Sequence, residues 1–379
     1  MKFLFASDSF KGSLTSQDCI RLLTISARNY FPDSQMIGIP MADGGEGTTA
    51  AVLAAAGGAS KTVVVKGPFG ADVTAPYGIL RDGSAIMEMS AASGITLVDA
   101  DELSPMRASS YGTGQMIQDA LNHGVRKLTI SLGGSATNDG GIGAMAALGV
   151  KFKDKAGCVL DPIGASLNQI CTIDWTGLDP RLQKTQVQVM CDVSNPLCGE
   201  HGATYVFGKQ KGGTPEELDA LEQGMRNYAE VLCRTVGSDV GLLPGSGAAG
   251  GMGASLRAFC QATVVSGIET VLDLVDFDQR VSDVDLVVTG EGCLDGQSAN
   301  GKVVFGIGQH CKRLGVPAVA IVGSMKESMK AVQSYGITQV YELAEEGITV
   351  EQAILQAEEL YYKRANRLFR AFKESQNHC

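Results

Sequence analysis

Short apolar segments along this chain are each followed at once by a polar, glycine-rich turn and then by a helical pattern of apolar positions. This order is typical of a β-loop-α unit. Such segments lie at residues 2–6, 36–39, 127–131, 285–289, 318–322 and 339–341. They predict an α/β fold, with a doubly wound, Rossmann-like parallel sheet of about six strands and helices on both faces.

Two stretches of the chain interrupt this alternation. Residues 61–106 have the pattern of extended segments separated by turns, and residues 151–265 combine a hairpin, a short strand and a long polar helix. Because 379 residues exceed the size at which one core usually stops growing, we expect these stretches to form a second α/β domain inserted into the first. The Rossmann-like domain then comprises residues 1–60, 107–150 and 266–379, with a cleft between the two domains.

The formal net charge of the chain is −10. A surface of this sign repels a phosphate backbone, so nucleic acid is not an expected partner. A small anionic substrate is still allowed, because buried lysines and helix N-termini can form a positive pocket inside an acidic protein.

The first residues carry an apolar run that Asp8 and Lys11 interrupt. The run is too short for a signal sequence or a membrane span, so we predict a cytoplasmic protein with no membrane partner. The ten cysteines include no C-x-x-C pair. The sequence therefore predicts neither a disulfide framework nor a zinc site.

Glycine makes up 48 of the 379 residues and is concentrated in turns that follow the predicted strands. Ligands of open α/β sheets bind outside the carboxyl ends of the strands, where glycine lets backbone amides approach a phosphate. The known phosphate motifs are nevertheless incomplete. The segment 296–302 resembles a P-loop, but Val303 replaces the required serine or threonine, and no dinucleotide fingerprint follows the first strand. Known NTPase classes and dehydrogenases are therefore disfavoured.

Several longer motifs resemble the signature stretches of the type I glycerate kinases. They are Asp8-Ser9-Phe10-Lys11-Gly12-Ser13, Met41-Ala42-Asp43-Gly44-Gly45-Glu46-Gly47-Thr48, Gly133-Gly134-Ser135-Ala136-Thr137-Asn138-Asp139-Gly140-Gly141, Cys191-Asp192-Val193-Ser194-Asn195-Pro196-Leu197, Gly247-Ala248-Ala249-Gly250-Gly251-Met252-Gly253, and Thr289-Gly290-Glu291-Gly292 with Asp295, Gln297-Ser298 and Gly301-Lys302. The resemblance spans essentially the whole chain. Lys209 and Val304 stand where proline is usual in the family, but these differences remove no charged group.

The resemblance implies ATP-dependent phosphorylation of D-glycerate in the interdomain cleft. It implies 2-phosphoglycerate as the product, as in bacterial members of this type, with 3-phosphoglycerate left open. The implied partners are ATP, Mg²⁺ and D-glycerate, and a homodimer is also left open. Two rival classes are a small-acid binding protein, which would not need carboxylates beside phosphate-type loops, and an NAD(P)-linked oxidoreductase, which lacks its fingerprint.

Phosphoryl transfer needs positive groups and Mg²⁺ around the phosphates, and a carboxylate that orients or deprotonates the attacking hydroxyl. Asp192, at the end of a predicted strand, is our candidate for the general base. Asp43 is the runner-up, expected to contact substrate hydroxyls, and Asp139 is the third candidate. Lys11 lies just beyond the first strand and is expected to hold the glycerate carboxylate or a phosphate. Aspartates in turns and loop lysines are also common without a catalytic role.

The remaining candidates bind anions or a metal ion. Expected substrate or phosphate contacts come from Ser9, Gly44, Gly45, Gly133, Gly134, Ser135, Asn138, Asp139 and Lys302. Glu291 and Asp295 are expected to hold the Mg²⁺ that bridges the β- and γ-phosphates. Asn138, Asp139 and Glu291 could instead serve only as caps. With the strand order 3-2-1-4-5-6, the loops that contain Lys11 and Glu291 would flank the switch point of the sheet.

Overall fold

The computed structural model of the chain describes residues 1–10, 12–294, 302–343 and 349–376, so the predicted site residues Lys11 and Asp295 lie outside the described residues. The strands are β1 (Lys2–Ser7), β2 (Gln35–Gly38), β3 (Gly58–Lys66), β4 (Asp72–Leu80), β5 (Ala85–Glu88), β6 (Lys127–Ser131), β7 (Lys151–Lys153), β8 (Thr172–Asp174), β9 (Gln186–Met190), β10 (Thr263–Val265), β11 (Leu286–Leu294), β12 (Ala318–Met325) and β13 (Ile337–Glu342).

The α-helices are α1 (Ser16–Tyr30), α2 (Thr48–Ala56), α3 (Ser90–Ser93), α4 (Tyr111–Asn122), α5 (Ile142–Ala147), α6 (Ala203–Phe207), α7 (Pro215–Val236), α8 (Ala248–Cys260), α9 (Gly267–Leu274), α10 (Phe277–Val281), α11 (Val303–Leu314), α12 (Met329–Ser334), α13 (Val350–Leu355) and α14 (Ala357–Gln376). Short 3₁₀ turns span Ile95–Leu97, Gly164–Gln169, Pro180–Lys184, Lys209–Lys211 and Val240–Leu242. None of the helices in the described ranges is both long enough and apolar enough to cross a lipid bilayer.

The chain forms two compact units. Unit 1 consists of Met1–Asp43, Ala50–Gly57 and Gly267–Cys379, and unit 2 consists of Gly44–Thr49 and Gly58–Ser266. The sheet of unit 1 has the strand order β13-β12-β11-β1-β2, and every neighbouring pair is parallel. In the order of the chain within this sheet, the strands run 2-1-3-4-5. The strand order reverses between β1 and β11, so their carboxyl ends form the switch point of the sheet.

Both faces of the unit 1 sheet are covered. Phe3 and Phe5 belong to a buried cluster that also contains Leu23 of α1 and Phe369 of α14. The residue between them, Leu4, points to the opposite face because side chains alternate along a strand, and it is also fully buried. Helix α11 packs on β11 and β12. This covering of both faces is the doubly wound arrangement.

The sheet of unit 2 is mixed and has the order β10-β9-β6-β5-β4-β3. Strands β10, β9, β6 and β5 are parallel, whereas β4 and β3 form an antiparallel hairpin at one edge. The hairpin turn includes Gly70, whose φ of 84° is readily adopted only by glycine. Helix α7 begins at a capping box formed by Thr214 and Glu217, and it ends at Gly237 in the left-handed conformation.

The predicted fold class is confirmed, since unit 1 is a doubly wound α/β sheet and unit 2 is a second α/β body. Within the described residues the unit 1 sheet has five strands, one fewer than the approximate prediction. The domain boundaries also need correction. Residues 107–150 lie in unit 2 and not in the Rossmann-like unit, because β6 pairs with β5 and β9 in the second sheet. Residues 44–49 likewise belong to unit 2.

Candidate functional site

The switch point of unit 1 brings two of the predicted loops together. Ser7 is in register with Gly290, and the amide of Asp8 donates to the carbonyl of Gly290 at 2.9 Å. The loop that follows β1 is therefore a neighbour of the end of β11, although the strand order is 2-1-3-4-5 and not 3-2-1-4-5-6. Both orders place a reversal beside the first strand, and ligands of open α/β sheets bind at such a reversal.

Ser9 lies in the tight loop that joins β1 to α1. Its amide donates to Asp8 Oδ1 at 2.6 Å, and the amides of Phe10 and Leu14 donate to each other's carbonyls. The ring of Phe10 packs edge-on against Tyr361, with ring centroids 5.5 Å apart. These contacts fix the loop at the switch point.

Glu291 lies on β11 next to the switch point and is only 5% exposed. Strand β12 runs so close that a Cβ atom at Gly290 would lie 2.2 Å from the carbonyl oxygen of Ile321, which explains the glycine at this position. Burial raises the pKa of the Tyr335 hydroxyl, and the negative charges of Glu327 and Glu291 act in the same direction. Glu291 therefore places a buried carboxyl group at the ligand edge of the sheet, near the Tyr335 hydroxyl.

A single buried carboxylate fits a divalent cation that arrives with a nucleotide. Mg²⁺ keeps several waters and usually takes one or two protein carboxylates together with phosphate oxygens. Among the residues that the structure describes, no group of three or more potential ligands could hold a metal by itself. Glu291 is thus the carboxyl group at this edge that an ion shared with ATP would use. Its predicted partner Asp295 lies outside the described residues.

Lys302 and Asp43 also belong to unit 1. Lys302 is the N-cap residue of α11, and its ammonium group donates to the carbonyl of Cys293 on β11 at 3.3 Å. This contact keeps Lys302 beside the strand that carries Glu291. Asp43 is half-buried and ends the segment that follows β2, and the chain enters unit 2 at the next residue, Gly44.

In unit 2 the parallel strands β5, β6 and β9 end at the same edge of the sheet. Glu88 ends β5, the loop 132–141 follows β6, and Asp192 follows β9. The amide of Leu132 donates to the carbonyl of Met190 at 3.4 Å, so this loop starts beside the end of β9. The glycine-rich loop and the carboxylate of Asp192 thus lie at the edge where such sheets bind ligands.

Two glycine pairs meet at this edge. A Cβ atom at Gly133 would lie 3.4 Å from the Cα atom of Gly45 and 3.6 Å from the carbonyl oxygen of Gly44. Gly134 has a φ of 73°, and the hydroxyl of Ser131 donates to the carbonyl of Gly44. Within the described ranges the amides of Gly133 and Gly134 donate to no protein acceptor. They are therefore available to an anion.

Glu88 is a site residue that the sequence did not identify. Its Oε2 atom accepts from the amide of Gly47 at 3.0 Å, and its Oε1 atom accepts from the amide of Thr49 at 2.8 Å. The carboxylate thereby fixes the segment that carries Gly44 and Gly45. An acidic residue at the end of a predicted strand was visible in the sequence, but its partners lie at the start of α2 and just before it, far away in the chain.

Asp139 is fully buried, and both of its carboxylate oxygens are occupied. Oδ2 accepts from the amide and the hydroxyl of Ser110 at 2.8 and 2.7 Å and from the amide of Gly143 at 3.2 Å, and Oδ1 accepts from the amide of Gly141 at 3.0 Å. Burial raises the pKa of Asp139, while these donors act in the opposite direction. The geometry favours a positioning role over the direct substrate contact and the general-base role predicted from the sequence.

Asn138 and Thr137 carry buried polar atoms that lack a hydrogen-bond partner in the part of the chain that the structure describes. Asn138 Nδ2 donates to Thr204 Oγ1 at 3.0 Å. Asn138 Oδ1 and Thr137 Oγ1 have no hydrogen-bond partner among the described residues. Because an unpaired buried acceptor costs about 1–3 kcal/mol, both atoms are candidates for a contact with a ligand or with water.

The three candidates for the general base differ in their surroundings. Asp192 is exposed, Asp43 is half-buried and Asp139 is fully buried. A general base must come within hydrogen-bond reach of the hydroxyl that it deprotonates. Exposure therefore favours Asp192, with Asp43 as the runner-up.

Lys211 is a second residue that the sequence did not single out. Its side chain is 2% exposed and lies under the loop that follows β6, where its ammonium group contacts Ser135 and Thr137. No spacing rule distinguishes Lys211 from Lys209, which lies two positions earlier and is exposed. Only the tertiary structure identifies Lys211 as part of the site.

His310 joins three helices of unit 1, and we expect it to make the stability of the protein depend on pH. Its Nδ1 atom lies 2.6 Å from Asp278 Oδ1 and its Nε2 atom lies 3.0 Å from Glu269 Oε2, while Arg313 pairs with Asp278 at 2.6 Å. Burial lowers the pKa of His310, but the two carboxylates outweigh it and raise the pKa above 6.5. The stabilisation is therefore present in full below the unfolded pKa and is lost as the pH rises through the folded pKa.

The variant His310→Gln should lose about 1 kcal/mol of unfolding free energy at low pH and less at high pH. Urea unfolding at a series of pH values measures this difference. The exposed residue His201 provides the control, because His201→Gln should keep the pH dependence of the wild-type protein. An unchanged pH dependence in His310→Gln would show that the cluster does not contribute as described.

The predicted residues fall into two groups, one in each unit. Those of unit 1 in the described ranges are Ser9, Asp43, Glu291 and Lys302, and those of unit 2 are Gly44, Gly45, Gly133, Gly134, Ser135, Asn138, Asp139 and Asp192. Most of them follow the carboxyl ends of parallel strands, but Glu291 lies within β11, which extends beyond the predicted strand 285–289, and Gly44 and Gly45 follow β2 of unit 1.

Known proteins match this chain along nearly its whole length. The sequence model of the Glycerate kinase family matches residues 3–373. A glycerate 2-kinase of Escherichia coli (strain K12) is 42% identical over 354 residues, covering 93% of both chains. A glycerate kinase of Bacillus subtilis (strain 168) is 41% identical over 368 residues, covering 97% of this chain and 96% of the relative. The crystal structure of a Salmonella typhimurium LT2 protein provisionally named glycerate kinase 2 superposes with a TM-score of 0.89 at 40% identity, covering 100% of this chain and 99% of the other.

Proposed function

The chain belongs to the glycerate kinase family and is a phosphotransferase, and from this premise we propose that it transfers the γ-phosphoryl group of MgATP to D-glycerate. We propose 2-phosphoglycerate as the product. Membership of this family sets aside the two rival classes, the small-acid binding protein and the NAD(P)-linked oxidoreductase.

One observation from the geometry supports this proposal most. In unit 2 a glycine-rich loop with available amides and an exposed carboxylate follow neighbouring parallel strands at one edge of the sheet. The amides can bind the carboxylate of glycerate, and the protein carboxylate can accept the proton of its attacking hydroxyl group. The loop is residues 133–138 and the carboxylate is that of Asp192.

In the proposed reaction the oxygen of the C2 hydroxyl attacks the γ-phosphorus of ATP. A new P–O bond forms, the bond from the γ-phosphorus to the β,γ-bridging oxygen breaks, and ADP leaves with the electron pair of that bond. The hydroxyl proton passes to Asp192, which acts as the general base. Asp43 is proposed to hold a substrate hydroxyl, and Gly44, Gly45, Gly133 and Gly134 offer backbone contacts.

Residues of unit 1 are proposed to act on the nucleotide. Glu291 is proposed to hold the Mg²⁺ of MgATP together with Asp295, and Mg²⁺ neutralises charge on the β- and γ-phosphates when it is bound. Lys302, held beside β11, is proposed to contact a phosphate oxygen. Lys11 is proposed to hold a phosphate or the glycerate carboxylate, and Ser9 to contribute a further contact.

The test is to identify the product of the purified chain with ATP, Mg²⁺ and D-glycerate. We expect ATP consumption that requires glycerate, and a product whose phosphorus couples to the proton on C2 in NMR spectra. Coupling to the protons on C3 would assign 3-phosphoglycerate instead. ATP hydrolysis at the same rate with and without glycerate would contradict the proposed reaction.

Other expectations from the sequence stay predictions. They are the cytoplasmic location, the interdomain cleft, the absence of a nucleic-acid or membrane partner, and the homodimer.

A further inference from the structure

Lys211 carries a buried ammonium group that, among the described residues, contacts a hydroxyl and a carbonyl and no carboxylate. The residue ends the 3₁₀ turn Lys209–Lys211 of unit 2, and its side chain is 2% exposed. Nζ donates to Ser135 Oγ at 3.0 Å and to the carbonyl of Thr137 at 2.6 Å. Over the described part of the chain, these two neutral acceptors are the partners of the ammonium group, and no acidic side chain pairs with it. A buried charge of this kind is costly unless another group balances it.

The contact with Lys211 fixes the direction of the Ser135 hydroxyl. An ammonium group has no lone pair, so it must be the donor and Ser135 Oγ the acceptor. The hydroxyl proton of Ser135 is then left for a different acceptor. Within the described ranges Ser135 Oγ donates to no protein group. The hydroxyl proton of Ser135 is therefore not taken by an acceptor among the described residues, and it can be donated to a ligand.

Other polar groups close to Ser135 also lack a hydrogen-bond partner within the described residues. Thr137 Oγ1 and Asn138 Oδ1 are buried and have no partner among the described residues. The amides of Gly133 and Gly134 are similarly available within those residues. The amides of Gly133 and Gly134 and the hydroxyls of Ser135 and Thr137 can donate to an anionic oxygen, and the charge of Lys211 attracts it. Asn138 Oδ1 can only accept, so it would instead suit a hydroxyl group of the ligand or a water.

The charged group that faces Lys211 is Asp139 on the same loop, which favours the protonated lysine. Both oxygens of Asp139 are occupied by Ser110, Gly141 and Gly143. Asp139 therefore moderates the charge on Lys211 without forming a contact ion pair with it. The positive field of Lys211 remains available to a ligand of the loop.

We infer that Lys211 is a positioning residue for an anion site on residues 133–138, acting through the hydroxyl of Ser135. The inference rests on the proposed function, because it assigns this site to one of the two substrates of that reaction. The ligand is an anionic oxygen, which either the carboxylate of D-glycerate or a phosphate of ATP can supply. The ammonium group of Lys211 donates to Ser135 Oγ and to the carbonyl of Thr137, so its effect on the ligand is transmitted through the loop.

Binding measurements test the inference without requiring turnover. Calorimetry gives the Kd of D-glycerate and the Kd of MgATP, each in the absence of the other, for the wild-type protein and for Lys211→Met and Ser135→Ala. We expect each variant to lower the affinity for one of the two ligands by on the order of 10- to 100-fold, the size expected for a lost hydrogen bond to a charged group. The affinity for the other ligand should change less than about twofold, because changes at distant sites with no shared partner act independently. The ligand whose affinity falls is the one that supplies the anionic oxygen.

Two further variants separate a positioning role from a structural one. Lys209→Met removes an exposed lysine from the same turn and should leave both affinities unchanged. The double variant Lys211→Met/Ser135→Ala should be weakened no more than the stronger single variant, because both changes remove the same contact. Additive losses would show that Lys211 does not act through Ser135.

The pH dependence provides a readout that a structural role would not share. Burial lowers the pKa of Lys211 from 10.5 to about 8, with Asp139 acting in the opposite direction. Affinity for the anion should therefore fall as the pH rises through about 8. The unfolding free energy should instead rise as the pH increases from about 8 to 10.5. In this range the buried Lys211 has lost its charge, whereas the same lysine in the unfolded chain still holds its proton. In Lys211→Arg the charge is kept, so the fall in affinity should disappear.

The inference fails if Lys211→Met and Ser135→Ala leave both affinities at their wild-type values, or weaken both ligands equally. Ser135→Ala and the wild-type pH profile keep the test valid if Lys211→Met does not fold. Turnover is measured in parallel. A wild-type protein that binds the anion but does not phosphorylate glycerate would remove the proposed function and leave the anion site in place.

Discussion

Replacing Asp192 with asparagine is expected to lower the turnover number with ATP and D-glycerate by roughly two or more orders of magnitude. Asparagine keeps the size of the side chain but cannot accept the proton of the attacking hydroxyl. Because Asp192 is proposed to act on the acceptor, the affinity for MgATP should stay at its wild-type value. Steady-state kinetics measure the turnover number, and calorimetry measures the Kd of MgATP.

Asp101 provides a matched control, because it is an exposed loop aspartate of the same unit. Asp101→Asn should retain wild-type turnover. Near-normal turnover in Asp192→Asn would remove Asp192 from the mechanism and pass the role to Asp43. In that case Asp43→Asn must show the large loss. Asp139 is the weakest of the three candidates, since its carboxylate is fully buried and both of its oxygens already accept from protein donors.

The helices and strands were largely predictable from local sequence. The pattern of residues 214–236 predicts a long helix, and the structure has α7 over Pro215–Val236 with its capping box at Thr214. The turns around Gly70 and Gly83 likewise separate β3, β4 and β5 as predicted. These features depend on residues close together in the chain, so the sequence pattern carries them.

The assignment of strands to sheets was not predictable in the same way. The segment 127–131 has the same apolar pattern as the strands of unit 1, but it pairs with β5 and β9 in unit 2. Every buried parallel strand has this pattern, because both of its faces are covered. Which strand it pairs with depends on contacts between distant parts of the chain.

The candidate site was likewise predictable only in its local features. Glycine-rich turns after strands were visible in the sequence, and the structure brings Gly45 and Gly133 together. Polar residues on these turns could not be sorted into ligand contacts and internal contacts. Asp139 and Asp192 both follow strands, yet one is buried among protein donors and the other is exposed. Burial is a property of the tertiary structure, and it decides which carboxylate can reach a substrate.

Replacing Glu291 with glutamine is expected to lower kcat/KM for MgATP by roughly two orders of magnitude at low Mg²⁺, with partial recovery at high Mg²⁺. Glutamine is nearly isosteric, so the close approach of β11 and β12 is preserved while the negative charge is lost. The buried position of Glu291 strengthens this expectation, because a charge that is 5% exposed is poorly screened by solvent. Titration of Mg²⁺ against initial rates measures the change.

Nucleotide binding provides a readout that does not depend on catalysis. In the wild-type protein Mg²⁺ should increase the affinity for ATP, because Glu291 is proposed to share the ion with the phosphates. In Glu291→Gln this gain should shrink by about 10- to 100-fold. Glu359 is an exposed glutamate on α14, where it pairs with Lys363, and Glu359→Gln should retain the full gain. If Glu291→Gln also retains it, Glu291 is not a ligand of the ion, and its burial beside the switch point serves only the fold.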